Sequence, residues 1–362
     1  MVEQLQILGN VLTNIAYQDS DTYFICIDGF ENITIPNINK ICPNRFIRCG
    51  ISEANAVSVA SGIALTGKCV FLIIVSKYAS TRALEQIMID VGYNNANVKI
   101  IALKGGIKYN ADGGYSHWAI EDIATVRTIP NITILNPATN DELCHQVKFA
   151  HNTKGCFYIR VENLHSNFNP LMQLQNYKMP QINNGKDVAI IAEGSMVEYV
   201  CNLDIESIGL KPLILNASVI KPFDKENVIN LINKNIPIIT IEEQVRGGVG
   251  SIVSEIIAEY GKKVKFLPIR VDSESYNIVG KYNFVADKII DLSNILVRIA
   301  RFCTRRYSFF GFPIFVIQPN LSNGKCYLIF GMIPLISIRY RHATKKHKLT
   351  IKLYLFGSIR IL

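Results

Sequence analysis

The chain has 362 residues, 49% hydrophobic and 19% charged, enough for two ordinary domains with sizeable cores and too apolar for bulk disorder. Its formal net charge of +9 is unevenly placed: eleven of the 38 Lys and Arg lie in residues 301–362, which hold no Asp or Glu, so residues 1–300 carry 27 basic residues against all 29 acidic ones. The basic balance belongs to the tail alone, and nucleic-acid binding is excluded as a reading of the whole.

The start, MVEQLQILGNVL, has neither a basic opening nor a long apolar core, so no secretory signal is expected, and residues 2–17 read as a helix. Apolar runs at 22–27 (TYFICI), 69–75 (CVFLIIV), 97–103 (NVKIIAL), 132–135 (ITIL) and 156–160 (CFYIR) predict short buried strands. Helical stretches at 53–66, 81–94, 118–127 and 140–151 alternate with them, as in a largely parallel sheet covered on both faces. In NPATNDEL, Pro137 breaks the chain and Thr139 or Asn140 can cap the next helix. Residues 1–160 are thus expected to form one doubly wound α/β domain, and the aperiodic, Asn-, Gln- and Pro-rich residues 161–186 a linker.

A second alternation follows, with strands at 187–192, 212–216, 236–241 and 263–269 and helices at 195–207, 224–234, 249–260 and 284–300. It predicts a smaller doubly wound domain over 187–300. RGGVGS opens a helix there but lacks the GxGxxG spacing and follows the third strand of its domain, so it reads as a close-packing turn. In the tail, SFFGFPIFVI and CYLIFGMIPLISI are broken by Gly and Pro and fall short of the ~20 residues a membrane-spanning helix needs. Residues 301–362 are expected to be an irregular extension without membrane contact. Nine cysteines without a CxxC pair are expected as reduced thiols of a cytoplasmic protein.

One stretch asks for chemistry. In RCGISEANAVSVASGIALTGK (48–68), Ala54, Ala56, Val57, Ala60, Ser61 and Ala64 leave almost no polar face, so the helix that opens at Glu53 reads as buried. A carboxylate carried into such a place needs a partner or a function.

CGISEANAVSVASGIALTGK resembles the start of the pyrimidine-binding domain of the transketolase family of thiamine-diphosphate enzymes. The resemblance continues through STRALEQIMIDVGYNNANVKIIALKGG, GGYSHWAIEDIATVRTIPNITILNPATNDEL and GCFYIRVE. DVAIIAEGSMV, NASVIKPFD and TIEEQVRGGVGSIVSEIIAE are similar to the transketolase C-terminal domain. The resemblance covers about residues 1–300 and excludes the tail. It implies that Glu53 hydrogen-bonds a ring nitrogen of the cofactor's aminopyrimidine and activates the cofactor. It further implies that Tyr78 stacks on the pyrimidine, that His117 moves protons on substrate hydroxyls, and that Arg160 holds a substrate phosphate. Thr81 and Leu84 stand where further aromatics are common, and Lys104 takes roughly the place of another family histidine, which puts ordinary donor-sugar recognition in question.

Complete transketolases carry a GDG and a later Asn that hold Mg²⁺ and the cofactor's diphosphate. Here IDGF and NADGGY are the nearest strings, and neither is a GDG. The resemblance therefore implies the C-terminal subunit of a split transketolase, transferring a two-carbon ketol unit between sugars or sugar phosphates. Thiamine diphosphate would be the cofactor, the Mg²⁺ would be held by an N-terminal partner subunit, and the assembly would be a homodimer or heterotetramer. Three other readings stay open: a 1-deoxyxylulose-5-phosphate synthase-like enzyme, a 2-oxoacid dehydrogenase beta-like enzyme, and a regulatory or binding subunit without catalysis.

Overall fold

The computed structural model describes residues 2–27, 37–162, 164, 177–272 and 277–303, and in the tail the backbone strands named below. Of the expected linker over 161–186, residues 163 and 165–176 lie outside the described residues. Residues 1–202 with 213–290 form one compact unit; residues 203–212 with 291–362 form a second.

The first unit holds two sheets. Strands β1 (Thr22–Cys26), β2 (Phe46–Arg48), β3 (Cys69–Val75), β4 (Val98–Leu103), β5 (Ile132–Leu135) and β6 (Cys156–Val161) lie in the order β2-β1-β3-β4-β6-β5, every neighbouring pair parallel. All residues of β3, β4 and β6 are buried, which is why their sequences run apolar without alternation. The pleat still sorts their side chains between two faces. Phe71, Ile73, Ile101 and Phe157 share a core with Leu5, Leu8 and Leu12 of helix Val2–Gln18 and with Leu143 and Val147 of helix Asn140–Asn152. Leu72, Ile74, Ile100 and Tyr158 share the other core with Ala56, Val57 and Ala60 of helix Glu53–Leu65. At about 1.5–3 kcal/mol per fully buried large apolar side chain, these two cores are the main stabilising contribution. Thr139 caps its helix as expected: its Oγ1 accepts from the Glu142 N–H at 3.1 Å, while the Glu142 Oε2 accepts from the Ala138 N–H at 2.7 Å.

In the second sheet, β7 (Val188–Ala192), β8 (Pro212–Asn216), β10 (Ile238–Ile241) and β11 (Phe266–Ile269) lie in the order β11-β10-β7-β8, with β10 parallel to both β7 and β11. Val228 and Ile232 of helix Lys225–Asn233 and Val253 and Ile256 of helix Val249–Tyr260 join Ala189, Ile191 and Ile238 in its core. Strand β9 (Val219–Lys221) leaves this sheet and pairs antiparallel with β5 of the first, Ile134 opposite Lys221 and Leu135 opposite Val219. Neither β9 nor β2 was expected, because three residues give no readable period.

Other departures have local causes. The helix expected over 118–127 is confined to Asp122–Val126, because the Ala119 backbone instead pairs with Gly106 in both directions. The 81–94 stretch becomes a short helix, Leu84–Gln86, followed by wide π-type turns over Ile87–Tyr93, where a Cβ on Gly92 would overlap Ile129. The 284–300 stretch divides into Tyr282–Ile290 and Ile295–Cys303 around Asp291, whose φ is +63°.

In the second unit the expected irregular tail carries regular backbone: Arg306–Phe309, Phe312–Asn320, Lys325–Phe330, Ile333–Tyr340, Leu349–Tyr354 and Ser358–Ile361 pair antiparallel in chain order. Their β-branched and aromatic content outweighs the interrupting Gly and Pro. No helix among the described residues is long and apolar enough to cross a membrane, and no disulfide joins the eight cysteines among the described residues.

Candidate active site

Glu53, Tyr78 and His117 follow β2, β3 and β4, at the carboxyl ends of parallel strands, where loops can converge on a ligand. Glu53 opens its helix with only 6% of its surface exposed. The preceding Ser52 does not cap the helix through its side chain, and its hydroxyl donates instead to the Cys49 carbonyl. Glu53 is thus the acid at a helix N-terminus, where partial positive charge favours it. Its Oε1 accepts a hydrogen bond from Arg82 Nη1 at 3.0 Å, in an ion pair whose side chains are 54% exposed on Arg82 and 7% on Glu53.

The Arg82 guanidinium also lies 3.9 Å from the centroid of the Tyr78 ring. Tyr78, half-buried in the turn Ser76–Ala79 directly after β3, meets the exposed His117 ring edge-on at 6.2 Å. His117 Nδ1 is 2.9 Å from Ser116 Oγ. The run Glu53–Arg82–Tyr78–His117 is continuous, so three of the four residues expected at the site come together, joined by an arginine that sequence reasoning passed over. Lys77 was also missed: it is buried, ion-paired with Glu121, and its Nζ sits 4.2 Å over the Tyr115 ring. Thr81 turns back to donate to the Lys77 carbonyl, and Leu84 packs on the core, so neither thickens the aromatic slot. Lys104 is half-buried with φ +64°, and burial lowers its pKa.

The structure places Arg160, expected at a substrate phosphate, elsewhere. It is fully buried, and its fork is committed to groups of the interior. Nε donates to Asp122 Oδ2 at 2.8 Å, Nη1 to Glu162, and Nη2 to the Ala119 carbonyl at 3.0 Å; Glu193 Oε2 lies 3.6 Å from Nη1. Asp122 also accepts from Ser76 Oγ at 2.7 Å, Tyr158 OH at 3.1 Å and Gln244 Nε2 at 2.7 Å. Burial works against the Arg160 cation, but Asp122, Glu162 and Glu193 hold its pKa well above the usual arginine value. Burial pushes the Glu193 carboxyl well up, against the pull of Arg160. Close approach to this knot requires glycine: a Cβ on Gly105 would lie 2.8 Å from Arg160 Cγ, and one on Gly194, at φ +51°, would overlap Glu162. An arginine so enclosed ties β6 to the ends of the second sheet and has no exposed donor for an anion.

The glycines of RGGVGS pack as expected. Glu242 Oε1 accepts from the Gly250 N–H at 3.0 Å, and a Cβ on Gly248 would overlap Glu242. The acceptor at that helix start is the chain's own side chain.

Two doubly wound domains, an acid, aromatic and histidine at one rim, and a buried ionic knot define an α/β enzyme subunit. Residues 9–165 match the transketolase pyrimidine-binding domain, and residues 178–277 the transketolase C-terminal domain. The chain is 31% identical over 285 residues to a subunit of the apulose-4-phosphate transketolase of Phocaeicola vulgatus, covering 75% of this chain and 90% of that protein. It is 28% identical to 1-deoxy-D-xylulose-5-phosphate synthase of Clostridium kluyveri, covering 74% of this chain but 43% of the longer enzyme. Among solved structures, a split-gene transketolase described as an inactive beta4 tetramer superposes with a TM-score of 0.71 at 26% identity, over 83% of this chain and 97% of that one. The chain belongs to the transketolase family, as a transferase subunit.

That family depends on thiamine diphosphate. The rim residues fit the pyrimidine half of such a cofactor: Glu53 offers a nearly buried carboxylate acceptor, Tyr78 an aromatic face, and a planar cation already spans the two. No group of three or more His, Cys, Asp or Glu that could hold a metal occurs among the described residues.

Proposed function

We propose that this chain is the pyrimidine-side subunit of a two-subunit transketolase that moves a two-carbon ketol unit between sugars or sugar phosphates. The observation that carries this reading is the nearly buried Glu53 carboxylate at a helix start, beside the Tyr78 ring that also contacts His117. When bound, thiamine diphosphate supplies the electron sink for breaking and forming carbon–carbon bonds. Glu53 would hold a ring nitrogen of the pyrimidine and share its proton, Tyr78 would flank the ring, and the exposed His117 would hold or move a proton on a sugar hydroxyl. Arg160 receives no part in the chemistry, since its donors serve the interior knot.

The diphosphate and Mg²⁺ would sit on an N-terminal partner subunit carrying the GDG, in a cytoplasmic heterotetramer built on a dimer of this chain. The Phocaeicola vulgatus relative, itself one subunit of a transketolase, supports a partner, and the inactive beta4 tetramer supports assembly of such chains without activity. A deoxyxylulose-phosphate synthase-like activity is the second reading, favoured by the Clostridium kluyveri relative.

The test mixes the full chain with the GDG-bearing subunit, thiamine diphosphate and Mg²⁺. Ketol transfer is expected only in the mixture, and Glu53→Gln should lower it by about 10²–10⁴ with unchanged circular dichroism. Robust ketol transfer by this chain alone would overturn the two-subunit reading, and activity with pyruvate but not ketoses would favour the second.

A further inference from the structure

We propose that Arg82 is a resident stand-in for the aminopyrimidine: its guanidinium fills the slot between Glu53 and Tyr78, and a pyrimidine enters by displacing it. The proposal rests on the reading of that slot as the pyrimidine site. A guanidinium is a flat N–C–N unit with N–H donors in its plane, as is the amino-substituted edge of a pyrimidine. Here it makes the two contacts such a ring would need, an N–H to Glu53 Oε1 at 3.0 Å and a face 3.9 Å from the Tyr78 centroid. Both groups cannot occupy that space.

The asymmetry of burial says which partner moves. Glu53 is fixed in the first turn of its helix, on the face that packs against the core, with 7% of its side chain exposed, whereas Arg82 has 54% exposed and reaches in from the surface. The helix expected to be wholly buried leaves Asn55, Ser58, Gly62 and Leu65 in solvent. An arginine so placed can swing into water at little desolvation cost, while an unaccompanied carboxylate at Glu53 would be left without a donor. Arg82 therefore neutralises Glu53 until an incoming ring takes over the same acceptor. Lys77, the neighbouring cation, cannot substitute, because it is buried on Glu121. His117 also meets the Tyr78 ring edge-on at 6.2 Å, so the exchange takes place beside the residue proposed to face the substrate. The consequence is a built-in brake on pyrimidine binding. A half-exposed ion pair and a half-exposed cation–π contact together correspond to about a tenfold change in a dissociation constant.

The test titrates the full chain with 4-amino-2-methylpyrimidine by isothermal calorimetry, using wild type, Arg82→Met, Arg82→Gln, Glu53→Gln and the Arg82→Met/Glu53→Gln pair. Arg82→Met and Arg82→Gln are expected to bind about tenfold tighter than wild type, and the paired variant to lose that gain. Unchanged or weaker binding in the folded Arg82 variants overturns the displacement. If Glu53→Gln still weakens binding in that case, the slot itself stands and only the displacement falls. Indifference of the probe to Glu53→Gln in both backgrounds, or no measurable binding by any variant, overturns the slot reading and this inference with it. Two Arg82 variants that both fail to fold by circular dichroism also overturn it, because a displaceable side chain cannot be one the fold requires.

Discussion

Replacing Glu242 with Gln is expected to remove a pH dependence of stability that this one residue imposes. Glu242 is fully buried just after β10; its Oε1 accepts from the Gly250 N–H, its Oε2 has no hydrogen-bond partner among the described residues, and burial pushes its pKa from 4.5 up to about 8. In the unfolded chain a glutamate titrates near ~4.3. Between those values the folded protein holds a proton that the unfolded chain releases, so stability falls as pH rises. The contribution is fully present below the unfolded pKa and is gone once pH passes the folded one. At about 1.4 kcal/mol per pH unit over the roughly 3.7 units between the two values, the whole loss is on the order of 5 kcal/mol, of which about 4 kcal/mol falls between pH 5 and pH 9. Gln keeps the neutral shape at every pH, and its carbonyl can still accept from Gly250. Glu242→Gln should therefore match wild type within about 1 kcal/mol at pH 5 and exceed it by roughly 3–4 kcal/mol at pH 9. Urea unfolding at pH 5, 7 and 9, followed by the fluorescence of the single, fully buried Trp118, measures this. Taking the difference between the two proteins removes the parallel contribution of Glu142, which burial raises to about 7. A difference that stays constant from pH 5 to pH 9 would refute the reasoning.

Arg160→Met should strand three buried carboxyl groups, and by the usual cost of breaking a buried ion pair should destabilise the protein by about 3–5 kcal/mol, read as a fall in urea midpoint. A midpoint close to wild type would mean that the knot adds no stability. Thr139→Ala removes the hydroxyl that accepts from the Glu142 N–H and should cost about 1 kcal/mol in the same assay. A chain ending at residue 303 is expected to keep one cooperative thermal transition by circular dichroism; loss of that transition would show that the tail is needed for folding.

Buried apolar strands were the most legible elements. Cys69–Val75, Ile132–Leu135 and Pro212–Asn216 carry the bounds read from their apolar runs, because burial on both faces writes itself directly into composition. Local capping was legible too, in Thr139. What could not be read was set by distant partners. Ala119 leaves helical geometry to pair with Gly106, and Val219–Lys221 becomes a strand only because β5 offers an edge. At the site, Glu53 stood out because a carboxylate among alanines is anomalous, and Tyr78 and His117 followed from a resemblance. Arg82 gave no such signal, since an exposed arginine in a polar turn is ordinary until its ring and acid neighbours are seen. The surroundings of Arg160 were equally unreadable: a strand-end arginine gives no sign in sequence that Glu162, Glu193 and Asp122 enclose it.

The placement of Val219–Lys221 on β5 has a consequence for synthesis on the ribosome. When residues 1–165 have emerged, six strands of the first sheet exist but the edge of β5 is bare, and it stays so until the chain has grown past residue 221. During that interval the nascent chain presents open backbone donors and acceptors beside an apolar sheet, a surface on which a neighbouring nascent copy can pair. The order of translation thus makes the second half of the subunit a guard for the first, and a gene truncated between the two would yield a sheet whose edge nothing closes.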